Sequence, residues 1–160
     1  MTVEVIVGNL ADSVHTSALK SLLAEYALDP MGGAAKLAPE LLESLPGKLA
    51  ARPDYLFVLA VSGNEYVGLV NCFEGFSTFK GKPLINIHDV IVSSGWRGQG
   101  IAQQMLRKVE EIALCRGCCK LTLEVLEGNK TAQRTYLNLG FEGYQLVPEM
   151  GRAMFWEKPL

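Results

Sequence analysis

The sequence lacks several features that would assign it to specialised classes of protein. No apolar run reaches the roughly 18 residues that a membrane-spanning helix needs. The formal net charge is -2 over 160 residues, so there is no strongly basic character of the kind that nucleic acid binding requires. The N-terminal residues show neither the basic start nor the long apolar stretch of a signal peptide. We therefore expect a cytoplasmic protein that binds neither membranes nor nucleic acids.

Cysteine and histidine are scarce, with four and two residues respectively. Three of the cysteines crowd the segment from Cys115 to Cys119, which makes a poor disulfide framework. The C-x-x-C spacing of Cys115 and Cys118 is compatible with a metal or redox pair. However, His15 and His88 lie far away in sequence, and a zinc site would need a second pair of ligands. We expect reduced cysteines that pack at a helix end, and no metal.

What is present is ordinary for a globular domain: 49% of the residues are apolar and 20% are charged. The length fits one domain over residues 1–160, without repeats or linkers. Alternation and turn signals predict strands at residues 3–7, 55–61, 66–73, 84–92, 120–126, 141–146 and 154–157. Helical spacing predicts helices from residue 12 or 13, at 39–50, from about 101 to 117, and at 129–139. An early hairpin and a late strand–helix–strand unit favour a mixed α/β sheet over a doubly wound one.

The segment of residues 90–102 is the most informative part of the chain, because a buried strand leads through a glycine-rich loop directly into a long helix. Gly98 and Gly100 let the backbone turn tightly and approach a ligand. The first turn of a helix offers unpaired N–H groups that suit a phosphate, and Arg97 adds a forked cation. The loop is not a Walker loop, because the Gly-Lys-Ser/Thr ending is absent, and it is not a dinucleotide-binding fingerprint, because Gln103 stands at the third glycine position. From the residues alone, a tight strand-to-helix turn remains the alternative.

Two motifs in this region resemble those of the GNAT superfamily of N-acetyltransferases. The first follows the family pattern Arg/Gln-x-x-Gly-x-Gly/Ala, and its residues are Arg97, Gly98, Gln99, Gly100, Ile101 and Ala102. The second comprises Asn129, Ala132, Tyr136 and the pair Gly140-Phe141. The resemblance covers about residues 84–146. It implies a central mixed sheet of six or seven strands flanked by about four helices, acetyl-CoA as cosubstrate without a metal, and a homodimer.

The resemblance also implies a role for individual residues. Backbone groups of Val90, Ile91 and Val92 would hold the pantetheine arm of acetyl-CoA like an added strand, and the amides from Arg97 to Ala102 would cradle its pyrophosphate. Asn129 would contact the pantetheine arm, and Tyr136 would protonate the departing thiolate. Asn129 can also be a helix N-cap, and Tyr136 can be a core aromatic.

The acceptor chemistry calls for acidic or basic side chains beside the cofactor. An alkyl amine with a pKa of about 10.4 is almost entirely protonated at pH 7, so the site must attract a cation and remove a proton. The candidates are His88, Asp89 and Glu124. Consecutive strand residues point to opposite faces, so only one of His88 and Asp89 faces the acceptor unless a bulge intervenes. Surface salt bridging for the two acids, and a hydrogen bond within the sheet for His88, are the alternatives.

Residues 76–83 followed by 87–90 resemble the diamine (spermidine/spermine) acetyltransferase branch of the family, in which a Glu-Asp pair binds the amine. Here His88 takes the place of the glutamate. One anionic contact is lost, so polyamine specificity does not follow, and a smaller amine, an amino acid and an antibiotic amine are alternatives. We therefore predict an acetyl-CoA-dependent N-acetyltransferase acting on a primary amine of a small molecule. The alternatives are an acetyltransferase of protein N-termini or lysines, and a non-catalytic regulator that binds acyl-CoA.

Overall fold

The computed structural model of the chain describes residues 2–160. The chain forms two compact units, one extending to Leu126 and the other running from Glu127 to Leu160. The first unit contains the whole sheet and three α-helices, and the second contains one α-helix. The single-domain organisation stays a prediction.

The first unit is built on a five-stranded mixed sheet in the order β1-β2-β3-β4-β5. The first three pairings are antiparallel, and β4 and β5 are parallel. The predicted mixed α/β fold is confirmed. The strands are β1 (Glu4–Val7), β2 (Tyr55–Ser62), β3 (Glu65–Ser77), β4 (Lys82–Val92) and β5 (Leu121–Leu123).

Several helix ends coincide with signals in the sequence. The Asp12 carboxylate caps α1 (Ser13–Leu28) by accepting a hydrogen bond of 2.8 Å from the Val14 N–H, and Pro30 follows its end. Proline occupies the first turn of α2 (Pro39–Ala50), where its missing N–H costs little. Gly117, with φ of 73°, follows the end of α3 (Ile101–Cys115). In the second unit, α4 comprises Lys130–Asn138.

Helices cover both faces of the sheet. On one face, α1 and α2 contribute to a buried cluster made of Ala18, Leu19, Leu22, Leu49, Phe57, Leu59, Leu69 and Ile91. On the other face, α3 lies so close to β3 that a Cβ at Gly68 would come within 2.9 Å of the Met105 sulfur. The buried residues of α3 recur at helical spacing. This packing places the start of α3 directly beyond the end of β4.

The predicted sheet of six or seven strands is wrong in number, because the described residues contain five. Residues 141–146 and 154–157 form no strand, and the second unit shows only an isolated bridge between Gln145 and Arg152. Gly143, Pro148 and Gly151 interrupt this region, and glycine and proline both weaken strand pairing. The short apolar runs between residues 141 and 157 therefore do not pair into a sheet.

The cysteines are free thiols with different surroundings: Cys72 is buried and Cys115 is exposed. Burial raises the pKa of Cys72 to about 12, which keeps this thiol protonated at neutral pH. Within residues 2–160, no group of three or more histidine, cysteine or acidic side chains is arranged to hold a metal ion. None of the helices in this range is long and apolar enough to cross a membrane.

Candidate active site

The loop between β4 and α3 has a backbone shape that depends on glycine. Gly98 and Gly100 have φ values of 77° and 76°, in the left-handed region that side chains disfavour. A Cβ added at either position would meet nothing within 4 Å, so glycine is needed here for the backbone conformation rather than for lack of space. Gly100 is the N-cap residue of α3 and has no side chain to satisfy the first N–H groups of the helix. The first N–H groups of α3 are thus left without a side-chain cap, and such groups at a helix start suit a phosphate.

An unpaired strand edge leads into this loop. β5 pairs with β4 only at residues 85–87, whereas β4 continues to Val92 beside β3. The Ser93 N–H donates to the Val67 carbonyl at 2.9 Å, so alternation directs the backbone groups of Ile91 toward β3 and those of Val90 and Val92 away from it. The Arg97 Nε donates a hydrogen bond of 3.0 Å to the Val92 carbonyl, which is therefore already engaged. The edge therefore offers mainly Val90 and the Val92 N–H to an extended ligand, and Ile91 contributes its side chain to the core.

A β-bulge places His88 and Asp89 on the same face of the sheet. The register of β3 and β4 shifts there, and His88 is the extra residue. The Asp89 carboxylate accepts a hydrogen bond of 3.0 Å from the Asn71 amide, and the His88 ring lies edge-on to the Phe73 ring at 5.5 Å. Since Asn71 and Phe73 are two residues apart on β3, they share a face. The face carrying His88 and Asp89, which we call the acceptor face, is the face on which the buried cluster of α1 and α2 packs. The His88 side chain itself is exposed there, and Asp89 is partly buried.

A short hydrogen-bond chain fixes the Asp89 carboxylate. The Tyr55 hydroxyl donates to the Asn71 side-chain oxygen at 2.6 Å, which turns the Asn71 amide nitrogen toward Asp89. Asn71 is only 4% exposed, so this orientation is enforced by its buried surroundings. Burial, with a smaller contribution from nearby charges that include Asp89, raises the pKa of Tyr55 and keeps its hydroxyl a donor. One Asp89 oxygen is thus held by the protein.

Further side chains give the acceptor face its electrostatic character. Helix α1 contributes Tyr26, whose pKa is raised by burial and by the charge of Asp89. The Arg52 guanidinium lies 5.4 Å from the Phe73 ring centroid and pairs with Asp54 at 2.7 Å. The acceptor face therefore combines aromatic side chains with the acid Asp89 and the basic side chain of Arg52.

Sequence reasoning missed Tyr26, Tyr55 and Asn71. The available signal was Asn71, the one amide within the apolar run Val67–Phe73, since a buried polar side chain in a strand usually has specific partners. The partners themselves were not readable, because Tyr55 and Asp89 come from two other strands.

Glu124, the third proposed base, follows β5 directly and is exposed. Near it, the Asn86 amide donates to the Thr122 hydroxyl at 3.0 Å and links β4 to β5. The structure does not place Glu124 in the hydrogen-bond chain that holds Asp89. Its role as a base stays a prediction.

The second unit contains the two remaining predicted site residues. The Asn129 side chain accepts a hydrogen bond of 3.1 Å from the Ala132 N–H and caps α4. Tyr136 is half-buried, and its ring lies edge-on to Phe141 at 5.9 Å. The N-cap role named for Asn129 is therefore present, whereas Tyr136 contacts Phe141 without being a buried core residue. The roles of both residues toward acetyl-CoA stay predictions.

Comparison with known proteins decides the family. The sequence profile of the Acetyltransferase (GNAT) family matches residues 19–141. This chain belongs to the GNAT family. The resemblance recognised in the two sequence motifs is thereby confirmed.

Curated relatives point to amine acetyltransferases. Over 94 residues the chain is 42% identical to thialysine N-epsilon-acetyltransferase of Bos taurus, covering 55% of each protein. Over 100 residues it is 33% identical to N-acetyltransferase 8F1 of Rattus norvegicus, covering 62% of this chain and 44% of the relative. The chain thus spans about half the length of the curated relatives it matches.

Solved structures share the fold at low sequence identity. An aminoglycoside acetyltransferase from an uncultured soil metagenomic sample, in complex with sisomicin, has a TM-score of 0.78 at 15% identity, with 99% of this chain and 97% of that one covered. An aminoglycoside N-acetyltransferase in complex with CoA has a TM-score of 0.74 at 15% identity, with 99% and 96% covered. At these identities the comparison supports the fold alone.

Proposed function

We propose that this protein is an acetyl-CoA-dependent N-acetyltransferase that acetylates a primary amine of a small molecule. The observation that carries the proposal is the open edge of β4 leading into the Gly98–Gly100 loop at the start of α3. An extended arm can pair with the edge, and a pyrophosphate can meet the helix amides beyond it.

The residues present fit acetyl-CoA at each part of this path. Val90 and Val92 offer outward backbone groups for the pantetheine amides, which can bind as an added strand. The amides from Arg97 to Ala102 include N–H groups at the start of α3 that have no side-chain cap, and these can donate to the pyrophosphate. Acetyl-CoA supplies an activated acetyl thioester, and the protein supplies orientation and proton transfer.

Asp89 is the residue best placed to attract the amine. An acceptor amine is a cation before reaction, and Asp89 is a carboxylate whose position is fixed by Asn71. The ammonium must lose a proton before its nitrogen can attack, directly to a side chain or through water. After the new C–N bond forms and the C–S bond breaks, the thiolate must gain a proton, and Tyr136 is the proposed donor.

The family relatives inform the acceptor class. A relative named for N-epsilon acetylation of thialysine makes a side-chain amine of an amino acid one acceptor worth testing first. Diamines, polyamines and sisomicin complete a panel of amines that differ in size and in the number of positive charges. A protein substrate stays the alternative, because the His88 side chain is exposed and Asp89 is only partly buried.

The proposal is tested by calorimetric titration with acetyl-CoA, followed by turnover with the amine panel. We expect saturable binding and an acetylated product that depends on one class of amine. The product is measured by mass spectrometry rather than with a thiol reagent, because the exposed Cys115 would react with such a reagent. Acetyl-CoA incubated with the amines in the absence of the protein serves as the control for non-enzymatic acetylation.

Each outcome of that experiment separates the candidate functions. Acetyl-CoA binding without turnover of any small amine would contradict the proposal, and acetylation of an added peptide would then indicate a protein acetyltransferase. Binding without any acetyl transfer would indicate a regulator. Absence of binding would contradict the assignment of the loop.

His88 is predicted to set the preference among amines. In the variant His88→Glu a second carboxylate joins Asp89 on the acceptor face, so a doubly charged diamine gains one charge-assisted contact. We expect the ratio of kcat/KM for a diamine over a monoamine to rise roughly tenfold. The control His88→Gln removes the imidazole without adding charge and should leave this ratio near that of the wild type. An unchanged ratio in His88→Glu would contradict the prediction.

A further inference from the structure

Two carboxylates at the end of α1 reach across to the loop between β4 and α3. The Glu25 carboxylate accepts a hydrogen bond of 2.8 Å from the Ser93 hydroxyl with one oxygen and one of 2.9 Å from the Ser94 N–H with the other. One helical turn later, the Asp29 carboxylate pairs with the Arg97 Nη2 at 2.9 Å. Both ends of the loop segment 93–97 are therefore attached to the same helix.

The Arg97 side chain links the end of β4 to Asp29. Its Nε donates to the carbonyl of Val92, the last residue of β4, while its Nη2 pairs with Asp29. Asp29 uses its other oxygen to accept the Met31 N–H at 2.9 Å. The Met31 N–H and then Arg97 hold the pKa of Asp29 below its usual range, so this carboxylate is charged at neutral pH.

We propose that Glu25 and Asp29 are positioning residues that hold the 93–97 segment in the shape required for acetyl-CoA binding, and that the Arg97 side chain is their partner rather than a phosphate ligand. This inference rests on the proposed function. A segment next to two glycines in the left-handed region has many alternative conformations when it is not restrained. The contacts of Glu25 and Asp29 supply such a restraint.

The negative charges of Glu25 and Asp29 allow a positioning role to be distinguished from simple charge repulsion. Two carboxylates close to the site of a polyanion disfavour its binding through like-charge repulsion. If repulsion were their main effect, removing either charge would tighten acetyl-CoA binding, and removing Asp29 would also release the Arg97 guanidinium for a phosphate. Positioning predicts the opposite sign, because the loop amides would lose their alignment.

The experiment measures the dissociation constant of acetyl-CoA by calorimetry for the full chain and its variants Glu25→Gln and Asp29→Asn. We expect each variant to bind acetyl-CoA roughly tenfold more weakly, as for the loss of hydrogen bonds to a charged group. Asp29→Glu keeps the carboxylate and should recover much of the affinity. The double variant Asp29→Asn with Arg97→Gln should bind no more weakly than Asp29→Asn alone, because the two residues act as one unit.

The matched control is Glu43→Gln, which removes a carboxylate of α2 that pairs with Lys20 at 2.8 Å. It should leave the affinity for acetyl-CoA unchanged. Ser93→Ala deletes only one hydrogen bond to Glu25 and should weaken binding by a few fold, which keeps the test informative if a charge variant fails to fold.

Unchanged or tighter binding in Glu25→Gln and Asp29→Asn, with wild-type binding intact, would overturn the positioning role alone. Failure of the wild-type protein to bind acetyl-CoA would instead overturn the proposed function. The two failures are therefore distinguishable in the same titration series.

Discussion

Replacing Tyr136 with phenylalanine is expected to lower kcat by about 100- to 10,000-fold, the range that general acid catalysis contributes. The hydroxyl is the proposed proton donor to the departing thiolate, and phenylalanine keeps the ring that lies against Phe141. Calorimetry should show acetyl-CoA binding close to that of the wild type, because the loop and the β4 edge are untouched. Turnover with the best amine of the panel gives the measurement.

Tyr144→Phe is the control for this prediction, since it removes another hydroxyl from the second unit at a residue that is 62% exposed. It should retain wild-type kcat. A Tyr136→Phe variant with full kcat would assign Tyr136 a structural role only, and the thiolate would then gain its proton elsewhere, for example from water.

Asp89→Asn is expected to reduce kcat/KM for the amine by roughly 10- to 100-fold, which corresponds to the loss of one charge-assisted contact. The change is nearly isosteric, and the new amide oxygen can still accept the hydrogen bond from Asn71. The loss should therefore come from the missing negative charge rather than from a rearranged sheet. The dissociation constant of acetyl-CoA should stay unchanged.

The comparison variant is Glu111→Gln, which neutralises an acid of α3 that pairs with Lys108 at 3.2 Å. Its kcat/KM should equal that of the wild type, which separates a local effect of Asp89 from a general effect of net charge. If Asp89→Asn keeps full kcat/KM, Glu124 becomes the stronger candidate for the acid that attracts the amine.

The local signals of the sequence predicted most of the first unit. Proline and aspartate placed the ends of α1 and α2, and residues 39–50 were predicted as the helix that the structure contains. The two GNAT motifs predicted the family that the comparison confirmed. Helix caps, helix breakers and glycine loops act through residues that are neighbours in the sequence. They can therefore be recognised without knowledge of the fold.

The late strands show where local signals were insufficient. A strand needs a partner, and apolar alternation at residues 141–146 cannot specify one. Similarly, β3 extends to Ser77 and β4 begins at Lys82, which lengthens the predicted strands 66–73 and 84–92. Each strand supplies the other's hydrogen bonds along this added length. Pairing between distant residues decided both results.

The sequence by itself determined the family, the glycine loop at the start of α3 and the candidate acids. Only the tertiary structure decided how they are presented. The bulge turned His88 and Asp89 to one face, Asn71 and Tyr55 fixed the Asp89 carboxylate, and Glu25 and Asp29 engaged the loop from another helix. Each of these contacts joins residues that are distant along the chain, so its geometry depends on strand register and helix packing rather than on local preference.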